Sequence, residues 1–168
     1  LPLPLPNIRN IAEKMIEQTN PVGIVLTGGN SLVKYGGDAS DRDETERRIL
    51  DISLERDIPV YGFCRGMQMI LDYFGCKLEQ VQRHVAVHHI VSGVLGEFGV
   101  NSFHNQGCYR VNDTLEVLAQ AQDGVIEAVR HKEKHILGTM WHPERENPFV
   151  PADIQRLQKL FDGTDIRA

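Results

Sequence analysis

The stretch YGFCRGMQM, residues 61–69, constrains this chain more than any other. An apolar run, IPVYGF (58–63), leads into it, and a helix-forming run, GMQMILDYF (66–74), leads out. Cys64 stands at the corner between Gly62 and Gly66. A buried strand that turns directly into a helix needs room at the corner, and glycine supplies it because it has no Cβ. This is the pattern of a nucleophile elbow, in which a sharp strand-to-helix turn strains the central residue and exposes its side chain above the sheet. The helix N-terminus adds about half a unit of positive charge, which should favour thiolate over thiol. A free cysteine is most often a packed core residue; the strand before Cys64 and the helix after it favour the nucleophile.

An elbow belongs in an α/β sheet, and the first half of the chain alternates accordingly. Asn7 is a candidate cap for a helix whose apolar face is Ile8, Ile11, Ala12, Met15 and Ile16. VGIVL (22–26) reads as a buried strand broken by Thr27-Gly28-Gly29, and the charged segment 41–57 reads as a surface helix. Gly75 suits the end of the elbow helix. The second half is strand-rich: 88–94, 100–104, 115–121, 125–131 and 135–141 read as short strands, with Asp123-Gly124 as a turn. Residues 152–161 close the chain as an amphipathic helix with Ile154, Leu157, Leu160 and Phe161 inward. The expected fold is α/β: a mostly parallel central sheet flanked by helices, with extra antiparallel strands, in a single domain over residues 1–168. The opening LPLPLPN reads as the exit from a preceding element, so upstream residues are expected.

A thiol nucleophile needs a base, an orienting group and donors for the oxyanion. Of seven histidines, His142 stands out in GTMWHPERE, at the end of a strand where it can point into a cleft above the sheet. Glu144 is two residues on and, in extended backbone, faces the same way, so it could orient the imidazole. The Arg65 N–H follows the nucleophile directly, and the glycines at 28 and 29 would let a second backbone N–H approach.

Six segments, in order, resemble the class I glutamine amidotransferase family, and in particular its free-standing γ-glutamyl hydrolase branch, the γ-glutamyl-γ-aminobutyrate hydrolase-like, peptidase C26 type. They are LTGGNSLVKYG (26–36), RDETE (42–46), GFCRGMQ (62–68), VNSFHNQG (100–107), DGVIEAV (123–129) and WHPERE (141–146). The resemblance covers nearly the whole chain. It implies a flavodoxin-like fold, Cys64 as nucleophile, His142 as base and Glu144 as orienter. It implies Gly29 and Arg65 as oxyanion donors, and Gly28, Gln68, Ser102, Phe103 and His104 as contacts to the glutamyl end. Three positions depart from the pattern: Ser31 stands for Asp, Val33 for Pro, and Cys76 for a glycine after the elbow helix. The family's N-terminal strand and helix have no counterpart ahead of LPLPLP.

The implied reaction is hydrolysis of a γ-glutamyl C–N amide bond through a thioester, with no cofactor or metal. The substrate would be a small γ-glutamyl conjugate: a γ-glutamyl amine such as γ-glutamyl-γ-aminobutyrate, or a γ-glutamyl nucleotide amidate. The alternative is a glutaminase subunit that passes ammonia to a synthase partner. A non-catalytic sensor is disfavoured by the intact Cys64, His142 and Glu144. A net charge of −5 argues against a nucleic-acid partner, and no apolar run approaches the roughly 18 residues of a membrane span. Three cysteines form no disulfide framework, so a cytoplasmic setting is expected, with Cys76 and Cys108 as packing residues. His84, His88 and His89 cluster in sequence, with His104 not far on, but no neighbouring cysteine or carboxylate completes a metal set; they read as surface or loop residues. Trp141 reads as core or cleft wall.

Overall fold

In the computed structural model, which describes residues 1–165, seven strands form one mixed sheet. Strands β1 (Ile24–Leu26), β2 (Val60–Phe63) and β9 (Ile136–Thr139) run parallel, Ile24 opposite Val60 and Val60 opposite Ile136. From β9 the sheet continues antiparallel through β8 (Ile126–His131), β7 (Leu115–Ala121), β4 (Val85–Gly93) and β5 (Gly96–Phe103). The antiparallel part is no mere edge: it supplies four of the six pairings between neighbours in this sheet. β3 (Glu79–Gln80) and β6 (Gln106–Gly107) make a separate two-stranded ribbon.

The parallel strands are short and almost wholly apolar because helices cover both faces. Helices α1 (Arg9–Thr19), α2 (Ser40–Arg56) and α3 (Arg65–Tyr73) contribute Ile16, Ile49, Leu50, Ile52, Met67, Ile70 and Leu71 to the core with Ile24, Leu26 and Val60. On the other face α4 (Pro151–Phe161) places Leu160 with Tyr61, Leu137 and Trp141. Trp141 is therefore core, and its indole N–H donates to the buried Asp153 at 3.2 Å. Cys76 and Cys108 are buried and unbridged, as packing residues should be.

Some local expectations need correction. Asn7 does not cap α1; Ile8 occupies that position without a side-chain bond. Ile8 and Ile11 are exposed, and the helix buries only the narrower stripe Ala12 and Ile16. Ile154 also lies outward, because Asp153 takes the inward position to meet Trp141. Gly75 does follow the elbow helix with φ 81°, its N–H donating to the Asp72 carbonyl. Among the described residues no helix is long and apolar enough to cross a membrane.

Candidate active site

Cys64 follows β2 and precedes α3 with φ 50° and ψ −108°, a conformation that non-glycine residues rarely adopt. The neighbouring backbone holds it there. Its N–H donates to the Thr139 carbonyl of β9 at 2.8 Å, and its own carbonyl accepts from Gln68 N–H at 3.0 Å. The two flanking glycines have separate reasons. A Cβ on Gly62 would stand 2.6 Å from the Gly66 carbonyl, and a Cβ on Gly66 would collide with the Leu26 carbonyl of β1. The elbow thus fits only if both positions lack a side chain.

The thiol is buried, and the backbone N–H groups of Arg65 and Gly29 face it closely enough to act on its pKa. Burial pushes the Cys64 thiol up, these two donors oppose the rise, Glu144 adds to it and Arg145 opposes it. Against the expected preference for thiolate, desolvation raises the thiol pKa by more than the neighbouring N–H groups lower it.

Neither donor position is left to chance. Arg65 is fully buried, and its guanidinium pairs with Asp43 and Glu46 on the first turns of α2. Arg42, one residue earlier, bonds Glu46 at 2.7 Å and donates to the Thr27 carbonyl at 2.7 Å and the Gly28 carbonyl at 3.2 Å. A Cβ on Gly29 would meet the Arg42 guanidinium at 2.5 Å. The RDETE segment therefore ties the Thr27–Gly29 turn to the elbow, holding two N–H groups from separate elements beside Cys64. Its motif was visible in the sequence; this clamping role was not.

His142 leaves β9 on the adjoining strand. Its Nδ1 is 2.6 Å from Glu144 Oε1, while Nε2 is buried with no hydrogen-bond partner among the described residues. The ring rests edge-on against Phe63 and Phe103, with centroids 5.8 and 5.7 Å away. Gly28 packs on its other side, where a Cβ would lie 3.0 Å from His142 Cε1. Asn101, buried on β5, holds the histidine backbone at both ends: its Oδ1 accepts from His142 N–H and its Nδ2 donates to the His142 carbonyl, each at 2.9 Å. Asn101 also donates to Glu146 at 2.6 Å. It lies within the VNSFH motif, but the sequence assigns it no task. A buried asparagine two residues from a strand end is a weak signal, because its partners lie 41 and 45 residues away.

Cys64, Gly28, Gly29, Arg65, His142, Glu144 and Phe103 are thus brought together. The other expected contacts point elsewhere. Gln68 is buried and donates to the Gln106 carbonyl at 3.0 Å, and Ser102 is buried with its hydroxyl on the His84 carbonyl at 2.8 Å. The His104 imidazole turns away from solvent toward Glu127. Arg145, by contrast, lays its guanidinium over the Phe103 ring at 4.0 Å and sends its positive charge toward Cys64.

The chain matches the family model described as Peptidase C26 over residues 1–92 and 80–144. It is 39% identical to the gamma-glutamyl-CDP-amidate hydrolase of Campylobacter jejuni over 82% of this chain and 68% of that protein. It is 33% identical to the gamma-glutamyl-gamma-aminobutyrate hydrolase of Escherichia coli K12, over 86% of this chain and 72% of that one. The fold resembles that of a GMP synthase subunit from Thermoplasma acidophilum, with TM-score 0.70, 21% identity, and coverage of 90% of this chain and 75% of that one.

Proposed function

We propose that this chain, which belongs to the peptidase C26 family of glutamine amidotransferase-type hydrolases, cleaves the C–N amide bond of a γ-glutamyl conjugate through a thioester on Cys64. The observation that carries this reading is the strained elbow at Cys64, where the Arg65 and Gly29 N–H groups act to lower the thiol pKa, in one site with a histidine that has one nitrogen on a carboxylate and the other unpaired among the described residues.

Because burial keeps Cys64 as a thiol, its proton must leave as the sulfur attacks. His142 Nε2 is the acceptor, and Glu144 on Nδ1 fixes the tautomer and stabilises the imidazolium. The sulfur bonds to the γ-carbonyl carbon, and the carbonyl oxygen takes the negative charge beside the Gly29 and Arg65 N–H groups. Collapse breaks the C–N bond, and His142 returns the proton to the leaving nitrogen. Water then attacks the thioester, His142 takes its proton, and glutamate leaves as the thiol is restored.

Arg145 favours an anionic leaving group, since its guanidinium stands on the Phe103 ring at the site. That favours either conjugate, whose nucleotide or aminobutyrate part is anionic, over glutamine, and the similarity to the gamma-glutamyl-CDP-amidate hydrolase supports the nucleotide amidate. The test is glutamate release from γ-glutamyl-CDP-amidate, γ-glutamyl-γ-aminobutyrate and L-glutamine, with Cys64→Ala as control. The reading expects Cys64-dependent release from the nucleotide amidate in preference to glutamine. Release from glutamine alone would move the chain to the glutaminase-subunit alternative.

A further inference from the structure

The sequence places His84, His89 and His104 near one another without a fourth ligand, but the fold supplies one. Glu127, on β8, is fully buried, and a single oxygen of its carboxylate faces all three imidazoles. His84 Nδ1 lies 3.2 Å from Glu127 Oε1, His104 Nε2 3.3 Å and His89 Nε2 3.6 Å. The reading of these histidines as surface or loop residues is corrected for His84 and His104, which are buried; His88 alone faces outward from β4.

The spacing carries the inference. Charge-assisted N–H···O bonds draw their atoms to about 2.7–2.9 Å. All three contacts are longer, and among the described residues none of these three ring nitrogens, nor either Glu127 oxygen, has a hydrogen-bond partner. Ligand atoms about 2.0–2.1 Å from a tetrahedral ion stand ~3.3 Å from one another. The nitrogens are spaced from the carboxylate as co-ligands rather than as bonded pairs.

The outer contacts agree. His84 Nε2 sits 2.9 Å from the Asp123 carboxylate, and His104 Nδ1 3.1 Å from the Gln106 carbonyl. Both partners accept a proton, so each neutral ring that places its N–H outward presents a lone pair to the centre. This is how metal-binding histidines are usually oriented. Lone pairs from several nitrogens and a carboxylate converging in a buried space repel unless a cation lies among them.

We propose that His84, His89 and Glu127, whose ligand atoms lie within 4.8 Å of one another, bind one divalent transition-metal ion, with His104 beside the same carboxylate oxygen and zinc the best match to imidazoles and a carboxylate. The ion is structural. It ties β4 to β8, beside the segment in which Asn101 and Phe103 hold His142. No step at Cys64 passes through it.

The test uses the full chain carrying Cys64→Ala, so that the thiol and His142 cannot offer a competing site. The protein is stripped with chelator and titrated with zinc chloride, and binding and thermal midpoint are read together. One zinc per chain with a rise in midpoint is expected. Glu127→Gln and His89→Ala should each weaken zinc at least ~100-fold, and Asp123→Asn by roughly 10-fold or more. Cobalt(II) provides a readout that needs no ligand variant: tetrahedral visible bands without a sulfur charge-transfer band. Failure to bind zinc saturably, a cobalt spectrum with sulfur character, or unchanged affinity in a folded His89→Ala protein would overturn the site.

Discussion

Two buried groups of ionisable side chains lie in different halves of this sheet, and they are built in opposite ways. The elbow at the ends of the parallel strands is specified by neighbours in the chain: a strand, Cys64 between two glycines, then a helix. The histidine–carboxylate cluster of the antiparallel half is assembled from β4, β8 and the end of β5, with Glu127 23 or more residues from each histidine it faces. The first holds a thiol against backbone dipoles and, among the described residues, leaves one imidazole nitrogen without a partner. The second sets three imidazole nitrogens around one buried carboxylate oxygen. Burial alone does not decide what such a group does; the partners that remain unpaired do.

Substitutions at the two groups should therefore fail differently. The largest effect belongs to Cys64→Ala, which should lower the rate of glutamate release by at least ~10³-fold while leaving the thermal midpoint nearly unchanged. Asn101→Ala comes next. It leaves Cys64 and its donors in place but frees the His142 backbone, so kcat should fall about 100-fold, the cost of an ångström-scale misplacement, with a smaller change in KM. Steady-state kinetics separate these two cases.

Glu46→Gln probes the clamp beneath the oxyanion donors. It leaves the buried Arg65 guanidinium with Asp43 as its only carboxylate partner of the two described. Removing one member of a buried pair costs about 3 kcal/mol, readable in a denaturant titration, and activity should fall with the loss of the Arg65 position.

The smallest effect is a matter of pH. Burial raises the Cys64 pKa from its ordinary value, so the thiolate fraction keeps growing as pH rises above neutrality. Iodoacetamide alkylation of the resting protein should thus accelerate steadily above neutrality. A plateau already reached near pH 6 would mean that a thiolate–imidazolium pair exists before substrate binds.

The parallel half was legible in the sequence because its signals are local. A three-residue strand, two glycines and a periodic helix each announce themselves within ten residues, and Cys64 adopts the backbone that the pattern requires. His142 and Glu144 were legible for the same reason, being two residues apart at a strand end. What the sequence concealed depends on long-range pairing. Asn101 and the RDETE clamp act on residues 14 to 45 positions away. The fate of His104 follows from burial against Glu127, which outranks a place at the substrate end. The thiol's preference for its neutral form was missed because a helix terminus is visible in sequence and desolvation is not.

The most direct measurement is a rapid acid quench during turnover, followed by mass spectrometry of the Cys64 peptide. The mechanism requires a glutamyl adduct on that peptide when a γ-glutamyl conjugate is present, and none in Cys64→Ala. Undiminished glutamate release by Cys64→Ala, with no adduct in the unsubstituted protein, would contradict it.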